Sequence, residues 1–235
     1  MEDYKKKVKS KLYKNYFTRL HSTEKDLEYT STKLTYADLM EFFKKNGKKR
    51  LLDAGCGDGL FIAEAERNGF YCEGFDNNDE LLEVCRKKGM KVRYGNFSEK
   101  LPFKDGIFDG VFCSNVFEHL EEPEFALSEL LRITKKGGIV FVTVPEGKNS
   151  VFYNDWTHKT HFTTHTFKHI MMCFDVSGYK IYRRHFPVLV RHWKNPLVRF
   201  GNFIMKKGPI AHVFTSIFEK TFSVLRHDLI LEIRK

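Results

Sequence analysis

Leu51-Leu52-Asp53-Ala54-Gly55-Cys56-Gly57-Asp58-Gly59-Leu60-Phe61 is the stretch from which the rest of this chain can be read. Arg50–Ala54 is an apolar run of strand length. Three glycines at alternate positions then make a turn that can pass close to a ligand, because no Cβ stands in the way. Helical spacing follows over Leu60–Arg67 and ends at Asn68-Gly69. A buried strand, a glycine turn and a helix open a βα unit, and open parallel sheets bind ligands at the carboxyl ends of their strands.

The same alternation continues outward. Phe70–Phe75 reads as a strand, Asp79–Lys88 as a helix stopped by Gly89, and Lys91–Tyr94 as a short strand. Phe108–Ser114 reads as a strand, Glu124–Thr134 as a helix and Ile139–Val144 as a strand. Upstream, Thr35 is placed to cap a helix through Asp38, Leu39 and Phe42 that stops at Asn46-Gly47. Beyond Pro145 come a polar loop over Gly147–Thr164, a helix over Phe167–Phe174 and strands over Tyr179–Phe186 and Asp228–Arg234. Short apolar runs alternating with helical periods predict an α/β fold with a mostly parallel sheet covered by helices on both faces. The whole chain, 1–235, reads as one domain with two additions. Residues 1–34 form a helical extension, with a basic helix over 3–20 whose stripe is Tyr4, Val8, Leu12 and Tyr16. Residues 187–227 form a helical insertion or lid between the last two strands. In its second helix Ile210, Val213, Phe214, Ile217, Phe218, Phe222 and Leu225 follow the 3.6 period.

Composition narrows the class. No run approaches the ~20 apolar residues of a membrane span, and the Lys-rich start lacks the apolar run of a secretory signal. Five scattered cysteines without a CxxC pair read as small buried side chains of a reduced compartment, so a cytoplasmic location is expected. The net charge of +10 is unevenly spread: residues 1–50 carry +7, 51–179 carry −6 and 180–235 carry +9. Basic ends suit an anionic partner such as phosphate, nucleic acid or a membrane surface, the last as a peripheral contact; they equally suit solvated basic faces.

The turn itself selects a ligand. A dinucleotide fingerprint is G-x-G-x-x-G with a pyrophosphate at the helix N-terminus. Here the spacing is G-x-G-x-G, Asp53 precedes it and Asp58 lies inside it. Two carboxylates disfavour a pyrophosphate and suit S-adenosylmethionine (SAM), whose ammonium and sulfonium are both positive. About 20 residues downstream, the second strand ends in Asp76, a carboxylate suited to a ribose diol. After the third strand, Asn96 suits an adenine edge and Phe97 its face, although Gly-Asn is also a common turn pair.

Together the blocks Leu51–Gly59, Gly74–Asp76, Tyr94–Phe97, Leu101–Leu120 and Lys135–Pro145 make the chain resemble the class I SAM-dependent methyltransferases. The group it looks most like is typified by ubiquinone-biosynthesis and glycan methyltransferases, over residues ~35–186. The resemblance implies a Rossmann-like, seven-stranded sheet with its last strand antiparallel. It implies that the first block holds the methionine part of SAM, the acid after the second strand the ribose and the third block the adenine. That third position is usually Asp, where this chain has Asn96. The expected cofactor contacts are Asp53, Gly55, Cys56, Gly57, Asp58, Gly59, Asp76, Asn77, Asn96, Phe97, Ser114 and Asn115.

Methyl transfer from a sulfonium mainly needs alignment and exclusion of water, but a hydroxyl acceptor also needs help losing its proton. His158 and His161, in the loop Asn154–Thr163, and His119, after the fourth strand, are the candidates for a general base. Glu118-His119 with a later histidine resembles the E-x-x-E-H pattern of some metal-assisted methyltransferases. Asn115 stands where that pattern has its first Glu, and no metal is expected. The basic, aromatic segment 187–227 suits a lipid- or nucleotide-linked glycan, so O-methylation of a sugar is the leading expectation. A quinone-like small molecule, an RNA acceptor, or a SAM-binding regulator without catalysis are the alternatives.

Overall fold

The computed structural model describes residues 30–145, 155–176, 178–187 and 225–235. The expected basic helix over 3–20, the first part of the loop after Pro145 and residues 188–224 of the expected insertion lie outside them.

The chain opens with α1 (Thr30–Lys45), then alternates β1 (Arg50–Ala54), α2 (Leu60–Arg67), β2 (Tyr71–Asp76), α3 (Asp79–Lys87) and β3 (Val92–Tyr94). It continues through β4 (Phe108–Ser114), a single 3-10 turn at Phe117–His119, α4 (Pro123–Ile133), β5 (Thr134–Pro145), α5 (Thr164–Met171), β6 (Gly178–Pro187) and β7 (Leu225–Arg234). The sheet has seven strands in the order β3-β2-β1-β4-β5-β7-β6. β1 to β5 pair in parallel, and β7 runs antiparallel between β5 and β6. This is the Rossmann-like arrangement expected from the sequence. The strand order reverses between β1 and β4, which places a crevice at their carboxyl ends.

Two cores sandwich the sheet because neighbouring strand residues point to opposite faces. Leu52, Val111, Val140 and Val142 face a cluster with Leu127 and Leu130 of α4 and Phe167 of α5. Leu51, Phe112 and Phe141 face the other, with Phe43 of α1, Phe61 and Ile62 of α2 and Leu82 of α3. Both are rich in Phe, and edge-to-face pairs such as Phe42–Phe141 at 5.1 Å tie α1 to the sheet. Gly110 allows this close approach: a Cβ there would lie 2.5 Å from the Phe43 ring and 2.8 Å from Leu51.

Some element ends differ from the sequence expectation. α1 starts at Thr30, so Thr35 lies inside the helix rather than capping it. α4 starts with Pro123 at its first turn, where a missing N–H costs nothing. β5 starts at Thr134, directly from the helix, because Thr134 pairs with Phe108 before the register shifts to Gly110–Ile139. α5 starts three residues before the expected Phe167, at a reciprocal cap in which Thr163 Oγ1 accepts from Thr166 N–H and Thr166 Oγ1 from Thr163 N–H. β7 extends to Leu225, paired with Pro187 of β6.

Candidate cofactor and acceptor site

The crevice above β1 is built by the glycine turn. Gly55, Gly57 and Gly59 all have positive φ, at 82°, 53° and 85°. Such backbone favours glycine, and a Cβ on Gly55 would also lie 2.5 Å from Val116 Cγ2. The turn is stapled to β2: the N–H groups of Gly55 and Cys56 both donate to Phe75 O at 2.9 Å. Gly57 N–H donates to Asp76 Oδ2, also at 2.9 Å. Gly59 N–H turns inward to Cys56 O. Below the turn, Cys85 Sγ donates to Gly57 O at 3.4 Å, and Lys88 Nζ donates to Asp58 O at 2.9 Å.

This wiring tests the choice of ligand. A pyrophosphate cradle works by aiming successive backbone N–H groups at the anion. Here the amides of Gly55, Cys56, Gly57 and Gly59 are spent on the protein's own acceptors. What surrounds the turn instead is negative. Asp53 is 4% exposed and Asp58 8%. Burial pushes the Asp53 carboxyl well above the usual range, and the nearby Asp76, Cys85 and Asp58 push it further. A cationic ligand relieves that repulsion, so the residues fit SAM. Burial and the same two carboxylates, Asp53 and Asp58, also raise the Tyr36 phenol, which places this α1 residue at the crevice with its ring edge-on to Phe61 and Phe112. Sequence reading missed Tyr36 because it sits one residue after the expected helix cap, on no motif.

The other expected contacts are placed as follows. Asp76 is half-buried at the end of β2; its Oδ1 accepts from Asn78 N–H at 2.9 Å and its Oδ2 from Gly57. A carboxylate at the end of this strand suits a ribose diol, since its two oxygens can accept from neighbouring hydroxyls. Asn77 is exposed beside it, and Asn78 is the side chain that caps α3. Asn96 is half-buried, with Oδ1 accepting from Ser98 N–H at 3.0 Å. Phe97 is 6% exposed and packs edge-on against Phe75 and Phe117, so its ring forms the inner wall of this corner. Ser114 Oγ lies 2.7 Å from Thr143 Oγ1, which ties the ends of β4 and β5 together. Asn115 is exposed and has φ of 52°, a left-handed conformation Asn tolerates.

The segment after β4 leads from the cofactor turn to the histidines. Val116 packs on Gly55, and Glu118 follows two residues later, 1% exposed. The loop after β5 is pinned to it: Lys159 N–H donates to Glu118 O at 2.7 Å and Thr160 N–H at 3.3 Å. This brings the His119 and His158 rings to 4.8 Å between centroids. His161 is exposed, with its carbonyl accepting from Thr166 Oγ1, and it is not part of the His119–His158–Glu118 group.

Thr157, fully buried, joins these residues. Its Oγ1 donates to Asp155 Oδ1 at 2.6 Å and lies 2.9 Å from His119 Nδ1. A hydroxyl has one proton, so with that proton on Asp155 the imidazole donates from Nδ1 and keeps its lone pair on Nε2. Burial, and then the neighbouring His158, lower His119 to about 4 against the pull of Asp155, so it is neutral at pH 7. Asp155 Oδ2 also faces His158 Nε2 at 3.7 Å. The sequence singled out His158 and His119 but not Thr157; an acid two residues before a threonine, D-x-T, was the available signal for this turn.

Comparison with known proteins agrees with this geometry. Residues 52–142 match the family model described as a methyltransferase domain. The malonyl-[acyl-carrier protein] O-methyltransferase of Erwinia pyrifoliae is 33% identical over 112 residues, which are 46% of this chain and 42% of that protein. The ubiquinone biosynthesis O-methyltransferase of Methylococcus capsulatus is 31% identical over 99 residues, 40% of this chain and 42% of that protein. The chain thus spans under half the length of these relatives. A SAM-dependent methyltransferase from Archaeoglobus fulgidus shares the fold with a TM-score of 0.63 at 24% identity, covering 86% of this chain and 94% of that one.

Proposed function

We propose, from the premise that this chain belongs to the class I SAM-dependent methyltransferases, that it methylates an oxygen of a small-molecule acceptor. The observation that carries the reading is the glycine turn whose amides are tied to β2 while Asp53, Asp58 and Asp76 crowd around it. SAM, when bound, supplies a methyl group on a sulfonium already activated as a leaving group. The chain's own residues do the rest. Asp53 and Asp58 draw in the cationic end, Asp76 takes the ribose, and Phe97 backs the adenine corner. The Glu118–His119–His158 group, on the loops that follow β4 and β5, meets the acceptor's hydroxyl and makes it easier to deprotonate.

The acceptor is where this reading departs from the sugar expected from sequence. The two relatives quoted above are O-methyltransferases of ubiquinone biosynthesis and of malonyl-[acyl-carrier protein]. That favours the alternative, a quinone-like small molecule, over a glycan. Trp156, 65% exposed on the same loop as His158, offers a flat apolar face suited to an aromatic ring.

The test is transfer of labelled methyl from SAM to two acceptor pools, hydroxylated aromatics and sugar phosphates. Labelled aromatic ether is expected. Turnover of sugar phosphates alone would overturn the aromatic reading. Absence of binding to both SAM and its demethylated product would overturn the whole.

A further inference from the structure

Two thiols meet directly beneath the glycine turn, and neither has a part in the methyl transfer described above. Cys56 lies in the turn and Cys85 on α3, and both are buried free cysteines. They converge on one backbone carbonyl: Cys85 Sγ lies 3.4 Å from Gly57 O and Cys56 Sγ 4.0 Å from it. The two thiols also hydrogen-bond to each other. Each sulfur occupies space left by a glycine. A Cβ on Gly59 would lie 3.0 Å from Cys85 Sγ, and one on Gly74 of β2 would lie 2.9 Å from Cys56 Sγ.

The two sulfurs are chemically unequal. The hydrogen bond from Cys56, and then the Lys88 ammonium, hold the Cys85 thiol below its ordinary range despite burial. The same hydrogen bond, with burial and the nearby Asp53 and Asp76, pushes the Cys56 thiol up. Burial also pushes the thiols of Cys72 and Cys113 well up. A thiol with thiolate character beside one that keeps its proton is the arrangement of an attacking and a resolving cysteine.

We propose that Cys56 and Cys85 form an oxidisable pair, whose reversible disulfide, closed by peroxide, weakens the hold of the glycine turn on its cofactor. The Cys85 thiolate attacks one peroxide oxygen; the S–O bond forms, the O–O bond breaks and the leaving hydroxide takes up a proton as water. The Cys56 thiol then attacks that sulfenic sulfur; the S–S bond forms, the S–O bond breaks and a second water leaves with the Cys56 proton. Two thiols lose two electrons and one peroxide becomes two waters. In a reduced compartment such a bond is transient, which suits a sensor. Closing it draws the sulfurs to about 2.05 Å and removes the Cys85 proton that holds Gly57 O. The pull falls on Cys56, whose N–H is tied to Phe75 O, and on Gly57, whose N–H is tied to Asp76 Oδ2. Both the turn and the expected ribose carboxylate are therefore disturbed together. The coupling is reciprocal, so bound cofactor opposes closure of the bond. The effect on the cofactor rests on the methyl-transfer reading above; formation of the disulfide does not.

The experiment treats the reduced full chain with hydrogen peroxide, then maps its peptides without reduction and titrates it with S-adenosylhomocysteine by calorimetry. Expected are a linked pair of peptides carrying Cys56 and Cys85, and an affinity about tenfold weaker that dithiothreitol restores. Saturating S-adenosylhomocysteine should slow the linkage. In Cys85→Ser, peroxide should leave the affinity where it stood before treatment. Absence of the linked peptides, linkage with unchanged affinity, or an equal loss of affinity in Cys85→Ser overturns the proposal. A protein that forms the link but, when reduced, ignores SAM and its product supports the oxidisable pair and sinks the methyl-transfer reading instead.

Discussion

Asp53 closes β1 with almost no exposure and two further carboxylates near it, an arrangement that disfavours its own charge. The cost falls on the ligand-free protein and is offset when a cation binds, so one substitution separates the two effects. Asp53→Asn removes the buried charge and should raise Tm without ligand. It also removes a charge-assisted contact of about 1.5–3 kcal/mol, and so should weaken SAM about 10- to 100-fold by calorimetry. The pH dependence follows in sign. The folded pKa is raised, so this group's contribution is most favourable below its unfolded value of about 3.9 and is lost as pH rises toward the folded value. The Tm advantage of Asp53→Asn over wild type should therefore grow from pH 4 upward, and a constant difference would show that Asp53 is not titrating in that window.

At the scale of elements, β4 and α1 show how packing against the sheet sets up the site. Gly110 has no side chain where Phe43 and Leu51 come within 2.5 and 2.8 Å of a Cβ position. Gly110→Ala should force the Phe43 ring and α1 outward, at a cost of about 1–3 kcal/mol in denaturant unfolding. Because α1 carries Tyr36 to the side of Asp53 and Asp58, the same change should loosen SAM binding if the proposed site holds it. An unaltered affinity would mean that α1 does not form part of that wall. β4 and β5 are coupled at their ends in a similar way, by Ser114 with Thr143 and by Asn115 N–H donating to Thr143 O at 2.9 Å. Those bonds fix where the segment leading to His119 leaves the sheet.

For the molecule as a whole, the parallel strands bring several candidate groups to the carboxyl end of the sheet: Asp53 from β1, Asp76 from β2, Ser114 and the Glu118–His119 turn after β4, and Asp155–His158 after β5. A ligand held by several elements at once stabilises them together. S-adenosylhomocysteine at 100 times its Kd should add about 2.7 kcal/mol, which for a chain of this size raises Tm by roughly 5–10 °C. A scanning-fluorimetry shift of that size, absent with nicotinamide dinucleotides, is the expected outcome. No helix among the described residues is long and apolar enough to cross a membrane.

Sequence by itself determined the sheet and the glycine turn at the carboxyl end of β1. β1, the glycine turn and Asp76 are local signals: alternating burial, positive φ and an acid at a strand end are all written within a few residues of one another. It also singled out His119 and His158, but as separate members of two loops. Only the tertiary structure decided that Glu118 and the two histidines meet, that His161 stays apart, and that Thr157 fixes the tautomer of His119. The contact between Thr157 and His119 alone bridges 38 residues of sequence. These contacts depend on how the β5 loop folds back on the 3-10 turn, and no periodicity or spacing encodes a contact made by two loops that share only the edge of a sheet.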